Sequence, residues 1–223
     1  MHNKTTRASR FASHIQDLWH GLRDYFGRLG RSREKPVVDP AGLKIFLETR
    51  SSFVAQTSLY GYMRTRAGQL YPQMFDEPEF GRLLNIAKWY VWLACLSDLA
   101  VYAGGLLAQR TRVSPEEIGA LMQELVSSIL EDTGIPDEAG DEFATQAQRV
   151  RVRVAGCDWG AISDDEAPFS ESPSTLVHRA PIVDTLKELD EEIVRNSVRF
   201  RWQEIRRDLR RNLNAEAVLQ SAD

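Results

Sequence analysis

Cysteine is nearly missing from this chain: two thiols, Cys95 and Cys157, in 223 residues. They form no C-x-x-C pair and read as reduced thiols, not as a disulfide framework. Histidine is almost as scarce. His2, His14 and His20 crowd the first 20 residues, and His178 is the one histidine of the body. A zinc centre built on His and Cys is not expected from so few ligands. A carboxylate-bridged metal pair in a bundle would need Glu-x-x-His motifs, and the sequence has none. The G-x-S-x-G elbow, the P-loop, G-x-G-x-x-G and H-E-x-x-H are also absent, so the usual hydrolase, nucleotide and zincin signatures have no counterpart. No metal and no cofactor are expected. An apolar N-terminal run of signal-peptide length is missing too, which points to a cytoplasmic protein.

Strands are a further lack. Residues 149–154, "RVRVRV", alternate as a strand would, but no second strand candidate exists to pair with them. A lone strand cannot satisfy its backbone. Phe143, Ala147, Val150 and Val154 also fit a helical face, so 141–156 is assigned to helix.

Charge is plentiful but uneven. Lysine is rare, five against 23 arginines. Residues 1–35 carry a net +5, whereas 36–148 carry −7 and 149–223 carry −2. A basic arm thus precedes an acidic body, which suggests an anionic partner for the arm. Within it, residues 8–29 are amphipathic, with Phe11, Ile15, Leu18, Trp19, Leu22, Tyr25, Phe26 and Leu29 at spacings of three and four. Such a helix can dock on its own domain, lie in a membrane interface or meet a protein partner. Arm and linker occupy 1–38, the helical domain 39–213, and a frayed tail 214–223.

The domain pattern is helical. Asp39 and Pro40 start a helix that runs to near Leu70, with an uncharged stretch at 51–63. A turn at 71–80 leads to a second helix ending near Arg110. It contains "AKWYVWLACLSDLAVYAGGLLA" (87–108), long enough to cross a bilayer. Asp98 and Ser97 inside it, Lys88 at its edge and the Gly104–Gly105 pair argue for a buried core helix instead. Ser114, Pro115 and Glu117 form a capping box, and Gly134 closes that helix. Residues 157–181 are the longest irregular region. A last long helix runs from near Pro181 to about Leu213, its apolar stripe made by Val194, Val198, Trp202, Ile205, Leu209 and Leu213. The expected fold is all-α, a compact bundle of about six helices with an N-terminal amphipathic helical arm.

Candidate chemistry is sparse. Asp98 is flanked on its helix by Ala94, Cys95, Val101 and Tyr102, so its carboxyl should be desolvated and need a cation. Arg64 and Arg66 on the preceding helix are the natural partners. The pair either fixes helix register or serves a proton-handling or ligand-binding role. Cys157 in "GCDWG", or a loop serine such as Ser170, Ser172 or Ser174, could be a nucleophile with His178 as its base. Arg199, Arg201, Arg206, Arg207, Arg210 and Arg211 form either a solvated face paired with acids of the body or a contact for an anionic surface. The acidic body and a pI near 5.7 argue against nucleic acid as that surface.

At "FLETRSSFVAQTSLYGYMRTR", "NIAKWYVWLACLSDLAVYAGG" and "LDEEIVRNSVRFRWQEIRR" the chain resembles a family of alphaproteobacterial helical proteins, over roughly residues 39–212. Members sometimes carry the label "esterase", without assigned catalytic residues. The resemblance therefore implies carboxylic-ester hydrolysis. The residues themselves imply a binding protein whose partner is a protein or an anionic membrane surface such as the inner membrane. No transmembrane span is expected.

Overall fold

The computed structural model describes residues 36–68, 74 and 76–221. The amphipathic arm, and with it nearly all of 1–38, lies outside the described residues, as do 71–73 and 75 of the 71–80 turn. The described residues form α1 (Pro40–Ala67), α2 (Pro78–Arg110), α3 (Pro115–Thr133), α4 (Phe143–Ala155), a 3-10 turn (Trp159–Ala161), α5 (Glu171–Arg179), α6 (Asp184–Asn212) and α7 (Ala215–Gln220). The fold is all-α.

Helix starts follow local chemistry. The Gly42 N–H donates to Asp39 Oδ1 at 2.6 Å, and Pro40 occupies the first turn, where no N–H is needed. The Ser114 box is complete: the Glu117 N–H donates to Ser114 Oγ at 3.3 Å, and the Ser114 N–H donates to Glu117 Oε2 at 3.1 Å. Gly134 ends α3 at φ +63°, which a β-carbon would strain.

α2 is the axis of the bundle. Tyr90 to Leu107 is buried without a break. By length and composition α2 could cross a membrane, yet 94% of its most apolar window is covered by the rest of the chain. A helix apolar on all sides needs cover on all sides. α1, α3, α4, α5, α7 and the 3-10 turn all pack on it, and α6 closes over α1 and α5.

Residues 141–156 are helical because their core-facing positions are helical. Phe143, Ala147, Val150 and Val154 are buried, whereas Val152 is 61% exposed. The alternation of "RVRVRV" puts valines on two faces, only one of which meets the core.

Three expectations are corrected. Residues 214–223 are not simply a frayed tail: α7 forms there, capped by Asn214 Oδ1, which accepts from the Ala217 N–H at 3.2 Å. Ala215 and Val218 are buried in the core. The fold begins before Asp39, since Val37 is buried and pairs with Leu213 through the Val37 N–H to the Asn212 carbonyl and the Asn214 N–H to the Val37 carbonyl, both 2.9 Å. Residues 157–181 are not wholly irregular either, because they contain the 3-10 turn and α5. α6 accordingly starts at Asp184 and not at Pro181.

The Gly104–Gly105 pair explains how the intervening loop packs. A β-carbon on Gly104 would sit 2.2 Å from the Trp159 ring, and one on Gly105 would sit 2.2 Å from Ile162. Gly119 on α3 faces the same indole. Trp159 is thus wedged between two helices with no room left over. Alanine at 104 would gain up to about 1 kcal/mol of helix propensity. The clash outweighs it, at about 1–3 kcal/mol for overpacking. Gly104→Ala is therefore expected to lower the urea midpoint without changing the slope of the transition; an equal or higher midpoint would contradict this packing.

Candidate functional site

Asp98 lies in the middle of α2 and is wholly buried. Its carboxylate accepts four hydrogen bonds. Arg153 Nη1 at 2.7 Å and the Glu171 N–H at 3.2 Å meet Oδ1. The Ser172 N–H at 2.8 Å and the Ser172 hydroxyl at 2.6 Å meet Oδ2. Four donors fill the acceptor capacity of two carboxylate oxygens.

The network spreads from there. Ser172 Oγ accepts from Trp202 Nε1 on α6 at 2.9 Å. Arg153 also donates to Ser97 Oγ at 2.9 Å and to the Pro168 carbonyl at 2.8 Å, and it pairs with Glu171 at 3.0 Å. One buried carboxylate thereby joins α2, α4, α5, α6 and the loop before α5. Ser170 makes no side-chain cap on α5. Asp98 supplies that cap from another helix, placing negative charge where first-turn N–H groups and the helix dipole favour it.

Burial is the largest influence on this carboxyl and pushes it up to about 6, against the pull of Arg153 and the Ser172 hydrogen bonds. The neighbouring Cys95 thiol is raised well above its ordinary value, by burial first and by Asp98 second. A buried thiol held neutral is a poor nucleophile.

The expected partners of Asp98 were on the wrong helix. Arg66 pairs instead with Asp190 of α6, which also accepts from the Tyr62 hydroxyl at 3.0 Å. Arg64 is exposed. Arg153 was missed because "RVRVRV" looks like a uniform charged face. The usable signal was its place one residue before a buried valine, at the margin of the apolar stripe.

The nucleophile candidates do not gather in one place. Ser172 is sealed, its hydroxyl engaged by Asp98 and Trp202. Cys157 lines a cleft of about 300 Å³ with Arg153, Ile162, Asp165 and Pro168, and burial raises its thiol. His178 lines a different cleft, about 410 Å³, with Tyr90, Arg149, Ser170, Ser174 and Arg179. His178 Nδ1 lies 2.7 Å from the Ser174 carbonyl oxygen. A carbonyl oxygen only accepts, so that bond places the proton on Nδ1. The Ser174 hydroxyl donates to the Ser170 carbonyl at 3.1 Å and accepts from Arg195 at 2.6 Å. Among the described residues no group of three or more His, Cys, Asp or Glu side chains could hold a metal ion.

The arginine run divides. Arg206 is buried over the Tyr102 ring and donates to Asp164, as does Arg210. Arg211 lies 3.4 Å from Asp208. Arg201 is half-buried, and desolvation lowers its pKa. Arg199 and Arg207 remain exposed, with no acid within salt-bridge distance among the described residues. Of the six arginines expected to form one face, Arg206 is buried and Arg201 half-buried, while Arg199, Arg207, Arg210 and Arg211 are exposed.

The solvent-facing side of α6 carries a feature that sequence reading missed. Leu189, Ile193 and Phe200 are 75%, 73% and 73% exposed, in line along the helix. They sit opposite the buried stripe of Val194, Val198, Trp202, Ile205 and Leu209. The signal was a second 3–4 periodicity half a turn away from the first.

Comparison with protein-family models, with curated proteins and with solved structures finds no match to this chain.

Asp98→Asn keeps the shape of the side chain but replaces one acceptor oxygen by an NH2 group, which must face either Arg153 and the Glu171 N–H or the two Ser172 donors. Leaving buried donors unsatisfied costs about 1–3 kcal/mol. Urea unfolding at pH 7 is expected to show a loss of that size. The folded carboxyl titrates near 6, above its ordinary 3.8, so the folded chain holds this proton more tightly than the unfolded chain does. The stability of the wild type relative to Asp98→Asn should therefore fall as pH rises from 3.8 to about 6. A difference that is constant over that range, or that grows, would show that Asp98 does not titrate in this way.

Proposed function

We propose that this chain works by binding another protein through the solvent-facing side of α6, and not by catalysis. One observation carries this reading: three large apolar side chains in a row, each more than 70% exposed, on a helix whose other side is already in the core. Isolated exposed leucines are ordinary, but an aligned set at helical spacing marks a contact surface. Arg199 flanks the stripe as polar rim, and Arg207 continues its line towards the end of α6. The pairing of Arg206 and Arg210 with Asp164 and of Arg211 with Asp208 offsets charge that this helix could offer to lipid, which favours a protein over an anionic membrane. The basic charge of residues 1–35 supports the membrane alternative, which the test below also reads.

The ester-hydrolase reading draws on the family resemblance and on one observation: Ser170, Ser174 and His178 share the 410 Å³ cleft. No serine hydroxyl in that cleft donates to His178, and Ser174 Oγ is held by Arg195. The expected outcome is that a short-chain nitrophenyl ester is hydrolysed no faster by the wild type than by His178→Ala or Ser174→Ala. Turnover that both substitutions abolish would restore the enzyme reading.

The binding reading is tested by a photo-crosslinking residue at 200, with one at the exposed Glu124 of α3 as control. Crosslinking in cells from 200 and not from 124 is expected to yield a protein adduct. Absence of an adduct at 200, together with sedimentation of the wild type on phosphatidylglycerol vesicles, would shift the contact to a membrane and overturn it.

A further inference from the structure

The three exposed apolar residues of α6 belong to a longer repeat. Leu189, Ile193, Asn196, Phe200, Gln203 and Arg207 follow one another at steps of four, three, four, three and four. That is the seam of a heptad repeat, the pattern by which two helices interlock side chains. None of the six is buried in the chain.

Charge runs along the same helix in two blocks. Residues 184–192 hold five acids and one lysine, and residues 199–211 hold six arginines and two acids; several pair within the chain, which leaves Glu188 and Glu192 exposed in the first block and Arg199 and Arg207 in the second. A parallel pair of such helices would set acid on acid and arginine on arginine. An antiparallel pair sets each block on its opposite. The helix is therefore complementary to itself about a two-fold axis, the condition for an isologous interface.

We propose that this chain forms a homodimer in which α6 packs antiparallel on α6 of a second copy. The two-fold axis passes between Val194 and Arg195. Leu189 then lies in a layer with Phe200 of the second copy, and Ile193 with Asn196 of the second copy. Glu192 and Arg199 flank these layers and meet across the interface, once on each side of the axis. Both are exposed, and among the described residues neither has an oppositely charged partner within salt-bridge distance in its own chain. Sliding one helix by a heptad toward an all-apolar layer of Leu189 on Ile193 would place Glu192 against Glu192, so charge selects the register. Asn196, in the layer next to the axis, has the role that a polar seam residue has in coiled pairs, fixing register at some cost in affinity.

This proposal rests on α6 being a contact face and names its occupant. The test uses the full-length chain and sedimentation equilibrium over micromolar concentrations. The wild type should approach twice the 25.3 kDa chain mass. Phe200→Glu should be monomeric, with an unchanged helical circular dichroism spectrum and a thermal midpoint that no longer depends on protein concentration. Glu192→Arg and Arg199→Glu should each weaken the dimer about tenfold or more, because each places like charges together twice. The double variant should recover to within a few-fold of the wild type. A wild type that stays monomeric, a dimer indifferent to Phe200→Glu, or single charge reversals that the double variant does not rescue would each overturn the proposal. The mass of the adduct from residue 200 separates the two levels of inference. An adduct of two chains supports both. An adduct with a protein of different mass, from a monomeric chain, overturns the dimer and leaves the contact face standing. No adduct and a monomeric chain overturn both.

Discussion

A carboxylate in the middle of an apolar helix must be met by donors, and most of this architecture can be traced to how Asp98 is met. α2 is buried on every side, so the donors have to be brought to it. α4 brings a guanidinium, α5 brings the N–H groups of its first turn and a hydroxyl, and α6 brings an indole that holds that hydroxyl in place. Each of these elements is short, polar on its outer face or interrupted by loop. None would find its angle on α2 from apolar packing alone, because apolar contacts tolerate sliding and hydrogen bonds do not. The polar knot supplies direction in a core that otherwise supplies only cohesion.

Much of this was legible beforehand. The capping box at Ser114, the Asp39–Pro40 start, the Gly134 stop and the burial of 87–108 follow from rules that act within a few residues, and such rules are visible in one dimension. The need of Asp98 for a partner was legible for the same reason. The identity of that partner was not. Arg153 is 55 positions away, and choosing it over Arg64 or Arg66 requires knowing that α4, and not α1, passes the relevant face of α2. α5 and α7 were missed because they are short. Their ends are secured by Asp98 in one case and by pairing of Val37 with Leu213 in the other, both contacts between distant parts of the chain.

The arginine run illustrates a different limit. Six arginines within 13 residues look like one basic face, but a helix distributes such a run around its circumference. Some then meet Asp164 and Asp208 while others meet water. What sequence presents as a block of charge becomes, in three dimensions, a set of internal ties and a narrow rim. The exposed leucine, isoleucine and phenylalanine of α6 were hidden by the same rotation, since attention to one apolar stripe obscures another half a turn away. It is this second stripe, and not the arginines, that most distinguishes the surface.

The segment from Gly156 to Ser170 has the composition of a loop, with three aspartates, two serines and two glycines. Trp159 fills the space left by Gly104 and Gly119, Ile162 rests on Gly105, and Asp164 is held by Tyr102 and two arginines. Phe169 stacks between Tyr102 and Trp202. A protease needs several residues of extended chain to fit its cleft, and here such a stretch could be released only by lifting an indole out of a helix interface. Resistance to cleavage in this protein should consequently follow the placement of aromatic anchors and not the boundaries of its helices. A stretch that looks like the natural place to cut or to insert a tag is among the least available for either.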